Sequence, residues 1–222
     1  MLLDWLGELL SPLRCPACAD ALGGGRGPFC VPCVVSVEEC ESAIDSIAFA
    51  EYGGALARAV QRFKYEDKPE LALPLGALVR RACRRSALRA DVVVPVPLHA
   101  RRLACRGYNQ SALLGRHVAR SIGAPLVTRA LARVVETAPQ VDLPREARRS
   151  NVEGAFRVMR GALVEGRAIA LVDDVSTTGS TLRACRQALI DAGASRVTSV
   201  VLARTMPSEL GISPGDDQGA SG

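Results

Sequence analysis

Residues 168–204, AIALVDDVSTTGSTLRACRQALIDAGASRVTSVVLAR, constrain the fold more than any other stretch of the chain. AIALVDDV is an apolar run of strand length, STLRACRQALIDAGA repeats its apolar residues at helical spacing, and RVTSVVLAR is again strand-like. Strand, helix and strand in that order form a βαβ unit, whose strands run parallel. The predicted class is α/β, a parallel sheet with helices on its faces. In such open sheets ligands bind beyond the carboxyl ends of the strands.

At that end stand Asp173 and Asp174, followed by Ser176, Thr177, Thr178, Gly179, Ser180 and Thr181. A helix starting at about Ser180 turns its first N–H groups and positive dipole end toward this point, a setting that holds phosphate. Hydroxyls of Thr177, Thr178 and Thr181 add donors, and Gly179 lets the backbone approach closely. The two acids would repel a phosphate, but they accept hydrogen bonds from vicinal sugar hydroxyls. A ribose 5-phosphate satisfies both halves. A plain helix start, capped by Asp174 or by a threonine, needs only one such residue. A Walker A loop is excluded, because no Gly-Lys-Ser/Thr follows a glycine at the required spacing.

A second constraint lies near the start. CPAC (residues 15–18) and CVPC (30–33) are two C-x2-C pairs separated by eleven residues, ADALGGGRGPF. Each pair forms a tight knuckle with two thiolates toward one ion, so Cys15, Cys18, Cys30 and Cys33 are the expected ligands of a structural Zn2+ in a small zinc-ribbon-like module. A disulfide pair or unrelated thiols are the alternatives. Cys40 is a bystander or a substitute ligand. The opening MLLDWLGELLSPL is broken by Asp4 and Glu8 and has no basic n-region, so it reads as an amphipathic helix rather than a signal peptide. No run approaches the roughly 20 apolar residues of a membrane span, and a cytoplasmic location is expected, where cysteines stay reduced.

Between these landmarks a connector is expected near residues 34–47, a helix over 53–65, a second helix after Pro69, a strand over DVVVPVP (91–97), a loop over LHARRLACRGYNQ, and a helix over 111–123. The expected domains are residues 1–47 (helix and zinc module), 48–206 (the α/β domain) and 207–222, a Gly/Ser-rich disordered tail. His117 falls at helical spacing from Leu113 and Leu114 and is read as non-catalytic. A net charge of +5 suits phosphate ligands or nucleic acid without choosing between them. Lys64 and Lys68 are the only lysines, and scarcity alone gives neither a chemical role.

Taken in order, the four-cysteine module, PVPLHARRLACRGYNQ, TAPQVDLPREARRSNVEGAF and LVDDVSTTGSTL resemble the ComF family of competence-associated, type I phosphoribosyltransferase-like proteins. VDDVSTTGST resembles that fold's signature for phosphoribosyl pyrophosphate (PRPP). The resemblance implies that Asp173 and Asp174 bind the ribose hydroxyls and that Ser176 through Thr181 cradle the 5-phosphate. It places a pyrophosphate loop at Pro97, Leu98, His99, Arg101, Arg102 and Arg106, where the arginines supply the charge a diphosphate needs. For His99, a phosphate contact and a structural hydrogen bond both stay open. Gln140, Arg145, Arg148 and Asn151 fall in the expected mobile hood, as contacts for the acceptor or the pyrophosphate; an ordinary exposed loop is their alternative.

The implied reaction is displacement at ribose C1 with loss of pyrophosphate, Mg2+ accompanying PRPP. Neither the acceptor nor a general base is identified by the sequence. The competing reading is a single-stranded DNA uptake factor that works with the DNA-uptake machinery and uses PRPP as a ligand only. Residues 80–106 contain eight arginines against one acid, Asp91, a candidate phosphate track. Four Phe, three Tyr and one Trp are a thin supply for base stacking, and most charge runs are solvated faces. A PRPP-sensing regulator is a third possibility.

Overall fold

The computed structural model describes residues 14–22, 27–135 and 154–205. The opening segment 1–13, the tail from residue 206, and Gln140, Arg145, Arg148 and Asn151 lie outside the described residues. In chain order the helices and strands up to the middle of the protein are α1 (Val31–Val34), β1 (Ser46–Glu51), α2 (Gly54–Tyr65), α3 (Ala72–Arg85), β2 (Val92–Pro95), α4 (Ala100–Arg106) and α5 (Gln110–Ile122). β3 (Leu131–Arg133), β4 (Phe156–Val158), β5 (Ala168–Ser176), α6 (Ser180–Asp191) and β6 (Arg196–Arg204) follow.

The main sheet has the order β1-β6-β5-β2 and every pairing is parallel, as the βαβ pattern predicts. β3 and β4 form a separate antiparallel ribbon. Alternate residues of β5 enter opposite layers, because successive side chains of a strand point to opposite faces. Ala170 and Val172 join the core under α2, α3 and α5, while Ile169 and Leu171 join the core under α6 and the ribbon. Helical spacing fixes the other side of each layer: Leu56, Ala59, Val60 and Phe63 of α2 are fully buried, as are Cys185 and Leu189 of α6. Burying a side chain such as Phe63 or Leu75 stabilises the fold by about 1.5–3 kcal/mol.

α3 and α5 cross closely because Gly76 has no side chain. A Cβ there would stand 2.3 Å from the ring of His117. His117 is thus a packed core histidine. Burial, then the charges of Arg80 and Arg120, hold its pKa below the ordinary value.

Two expectations are corrected. LHARRLACRGYNQ is not a loop throughout, since Ala100–Arg106 forms α4. His99 caps it, its Nδ1 accepting the Arg101 N–H at 3.4 Å, and Gly107 closes it in the left-handed region at φ 76°. The stretch expected as a connector also holds the start of a strand. β1 begins at Ser46 and pairs along β6 with Ile47 opposite Val200 and Ala48 opposite Val201. No helix among the described residues is long and apolar enough to cross a membrane.

The connectivity creates a crevice. The chain leaves β2 for α5 on one face of the sheet and leaves the adjacent β5 for α6 on the other. The carboxyl ends of β2 and β5 therefore flank a topological switch point, where open α/β sheets place their ligands.

Candidate functional site

Near its carboxyl end in this crevice, β5 carries Asp173 and Asp174. Asp173 Oδ1 accepts hydrogen bonds from the Ser111 hydroxyl at 2.8 Å and from the Asp174 N–H at 2.9 Å. Asp174 is buried; its Oδ1 accepts the Val175 N–H at 2.7 Å, and its Oδ2 pairs with Lys64 Nζ at 3.1 Å. Burial, then the neighbouring Asp174 charge, raises the Asp173 pKa to about 7, although Ser111, Lys64 and the Asp174 N–H pull the other way. Burial alone would lower Lys64, but the charges of Asp174 and Asp173 outweigh it and hold Lys64 above its ordinary value.

The turn after β5 is closed by Gly179 at φ 70°, which stands at the N-cap of α6 with no side-chain capping bond. Neither Asp174 nor a threonine takes the N-cap position. Thr178 instead folds inward, its Oγ1 lying 3.0 Å from Ser180 Oγ, while its carbonyl accepts Arg183 Nη1 at 2.7 Å. A Cβ on Gly179 would press within 3.0 Å of that same Nη1, and positive φ adds strain for any other residue.

A cavity of about 1150 Å³ fills the crevice. Asp173, Asp174, Thr177 and Thr181 line it from the β5 side, and Pro97, Leu98, Arg102 and Arg106 from the β2 side. Ser176, Thr178, Gly179, Ser180, His99 and Arg101 are not among its lining residues. His99 is engaged at the start of α4, which favours the structural of its two expected roles. Arg106 is steered by two contacts: Nη1 donates to Gln110 Oε1 at 2.8 Å, and the guanidinium lies 5.2 Å from the Tyr65 ring centroid.

Among the lining residues outside the expected set, three stand next to the acids or arginines. Lys64 and Ser111 reach the acids from α2 and α5, and Arg133 enters from β3. Arg133 sits 5.6 Å from the Phe156 ring centroid, and burial, then Arg102, lowers its pKa. Only the lysine carried a sequence signal, its rarity, and rarity gives no address.

The four cysteines also come together. Cys15, Cys18, Cys30 and Cys33 are free thiols whose Sγ atoms all lie within 4.8 Å of one another. Tetrahedral zinc with Zn–S bonds of about 2.3 Å needs sulfurs roughly 3.8 Å apart, so the cluster fits such an ion. At Cys15, burial opposes ionisation, yet backbone hydrogen bonds from Cys30, Cys18 and Ala17 prevail and bring the pKa down to about 6. Arg58 Nη2 lies 3.8 Å from Cys33 Sγ, and Arg62 Nη1 donates to the carbonyls of Cys15 and Pro16 at 3.3 and 2.9 Å. Cys40 is not part of the cluster; it is buried in the core beneath α6.

The arginine-rich face of α3 is divided. Arg81 and Arg85 both pair with Glu39, at 3.0 and 2.8 Å. Arg84, with Arg89 and Arg196, lines a second cavity of about 640 Å³ at the opposite, amino-terminal end of the strands, beside Asp91.

Comparison with known proteins adds relatives to this geometry. The phosphoribosyl transferase domain family matches residues 109–218. The DNA utilization protein YhgH of Escherichia coli K12 is 35% identical over 165 residues, covering 72% of each chain. Competence protein F of Haemophilus influenzae is 34% identical over 164 residues, covering 71% of this chain and 72% of its own. Among solved structures, the glutamine PRPP amidotransferase of B. subtilis complexed with ADP and GMP is 21% identical with a TM-score of 0.44, covering 64% of this chain and 30% of its own.

Proposed function

We propose, from the premise that this chain belongs to the ComF family of phosphoribosyltransferase-like proteins, that it binds PRPP and transfers the phosphoribosyl group to or from a nitrogenous acceptor. The observation that carries this reading is the shared cavity at the β2/β5 switch point. Paired carboxylates, threonine hydroxyls and arginines all line it. Asp173 and Asp174 accept the ribose hydroxyls, and residues Ser176 through Thr181 receive the 5-phosphate at the start of α6. Arg102 and Arg106 face the diphosphate from α4, just after the loop that begins at Pro97. The hood candidates Gln140, Arg145, Arg148 and Asn151 would meet the acceptor or the pyrophosphate.

In the reaction the C1–O bond to pyrophosphate breaks with its electron pair on the leaving oxygen, and the acceptor nitrogen forms the new bond to C1. The transition state has oxocarbenium character, so catalysis rests on positioning and on stabilising the departing charge. Bound Mg2+ would neutralise the diphosphate, held chiefly by ligand oxygens and water. Zn2+ would be structural, since four thiolates leave no open position. The reaction is placed in the cytoplasm. Titrating PRPP by calorimetry, then analysing products over a panel of nitrogenous bases, tests the proposal. Saturable heat with pyrophosphate release for one acceptor is expected; absence of any binding heat at millimolar PRPP defeats it.

A second reading, a single-stranded DNA handling factor, is favoured by the cavity that Arg84, Arg89 and Arg196 share. Among the described residues, the Arg84 and Arg89 guanidinium groups make no hydrogen bond or ion pair. The names of the relatives point the same way. If it holds, labelled single-stranded DNA shifts in a salt-dependent manner, and replacing the three arginines by alanine reduces the log–log salt slope by about 2. Equal shifts by the variant and the wild type exclude this face.

A further inference from the structure

Lys64 lies outside every motif that carries the family resemblance, yet it reaches the centre of the crevice. Its ammonium group stands 3.1 Å from Asp174 Oδ2, with side-chain exposures of only 22% and 9%. Two adjacent carboxylates in a partly desolvated site repel one another, and burial disfavours both charges. Both must nevertheless be ionised to act purely as acceptors for a sugar diol, because a protonated carboxyl presents a donor. We propose that Lys64 is a positioning residue for the ribose site, its ammonium group shifting the Asp173–Asp174 pair toward the doubly ionised, hydroxyl-accepting form. This rests on the PRPP reading above.

From α4 the cations Arg102 and Arg106 line the same cavity, but Lys64 is the cation in ion-pair contact with an acid of the pair among the described residues. From α5 the acids meet the neutral Ser111 hydroxyl. From β3 Arg133 acts on Asp173 at longer range, and from α6 comes the Cys185 thiol, which burial and then the Asp173 charge keep well above its ordinary pKa. Tyr65 is a further titratable group facing Lys64 from α2. Removing the lysine charge therefore raises the affinity of the pair for a proton, so that the form protonated at Asp173, only partly populated at neutral pH in the wild type, becomes the dominant one there. Raising the pH removes that proton and restores the diol acceptor. The predicted defect is thus alkaline-reversible.

The test compares wild type, Lys64→Met and Lys64→Arg by calorimetry with PRPP and with ribose 5-phosphate between pH 7 and 9.5, above the phosphate pKa of about 6. Lys64→Met is expected to bind both about tenfold or more weakly at pH 7 and to recover most of that loss within one to two pH units, a tenfold change corresponding to one unit. Lys64→Arg is expected to stay near wild type. Carbon-13 titration of the aspartate carboxyls in the ligand-free proteins, together with thermal melts to verify folding, reads the ionisation independently of any ligand. A Lys64→Met protein with an unchanged carboxyl titration overturns the proposal. So does a loss of affinity equal at every pH, which makes Lys64 a direct ligand contact, or tighter binding, which makes it a competitor for Asp174. Wild-type protein that fails to bind PRPP overturns the reading beneath it instead, while the carboxyl titration still reports what Lys64 does.

Discussion

Replacing Asp173 and Asp174 together by asparagine is expected to weaken PRPP binding by about a hundredfold or more, since hydrogen bonds to charged groups contribute about 1.5–3 kcal/mol each and 1.4 kcal/mol is a tenfold change. The substitution preserves shape. An asparagine Oδ1 still accepts from Ser111 at position 173 and from the Val175 N–H at position 174, the bonds that seat these side chains. Lys64 loses an ion-pair partner but retains an amide oxygen and partial exposure, so the thermal transition should fall only modestly. An affinity equal to wild type by calorimetry, in protein with a native circular dichroism spectrum, would mean that the diol docks elsewhere. Each single substitution separates the two roles further. Asp174→Asn also releases Lys64, whereas Asp173→Asn leaves the ion pair at 3.1 Å intact.

The second large effect concerns the cysteine module. Protein purified without chelator is expected to contain about one zinc per chain, as a four-thiolate site requires. Cys33→Ser should lower metal affinity by at least about a hundredfold, because even outer-sphere partners cost 10- to 100-fold. Apparent zinc binding energies in small modules are about 10–16 kcal/mol and count directly toward folding. A strong chelator should therefore unfold the module while exposing thiols that can be counted with a chromogenic reagent. Metal analysis that finds no zinc, with the four thiols already reactive in untreated protein, would remove the metal from the account.

The parallel sheet was legible because β5, α6 and β6 follow one another with clear changes of apolar period, and that order permits few other arrangements. The acid pair and the hydroxyl-rich turn were legible for the same reason, since topology places the end of such a strand at a binding crevice. β1 was missed because four of the six residues of Ser46–Glu51 are serine, alanine or glutamate, residues without strong strand preference, and pairing with β6 supplies what local preference lacks. α4 was missed because none of its seven residues is buried, so it has no apolar stripe; caps at His99 and Gly107 hold it instead. Lys64, Ser111 and Arg133 were beyond reach for a different reason. Lys64 and Asp174 are separated by 110 positions and meet only after the helix layer has packed, and no spacing within α2 announces which of its polar residues will face β5.

One helix is the mount for two chemistries. Arg58 and Arg62 of α2 grip the cysteine module through a thiol and two carbonyls, while Lys64, two positions on, bonds the acid at the end of β5. A rod twelve residues long cannot shift at one end and stay fixed at the other. Oxidative damage to the thiols is therefore expected to reach the crevice beside β5 through its scaffold, and on the proposed PRPP reading a protein with its anchor stripped away should lose ligand affinity without a single altered atom among the groups that touch the ligand.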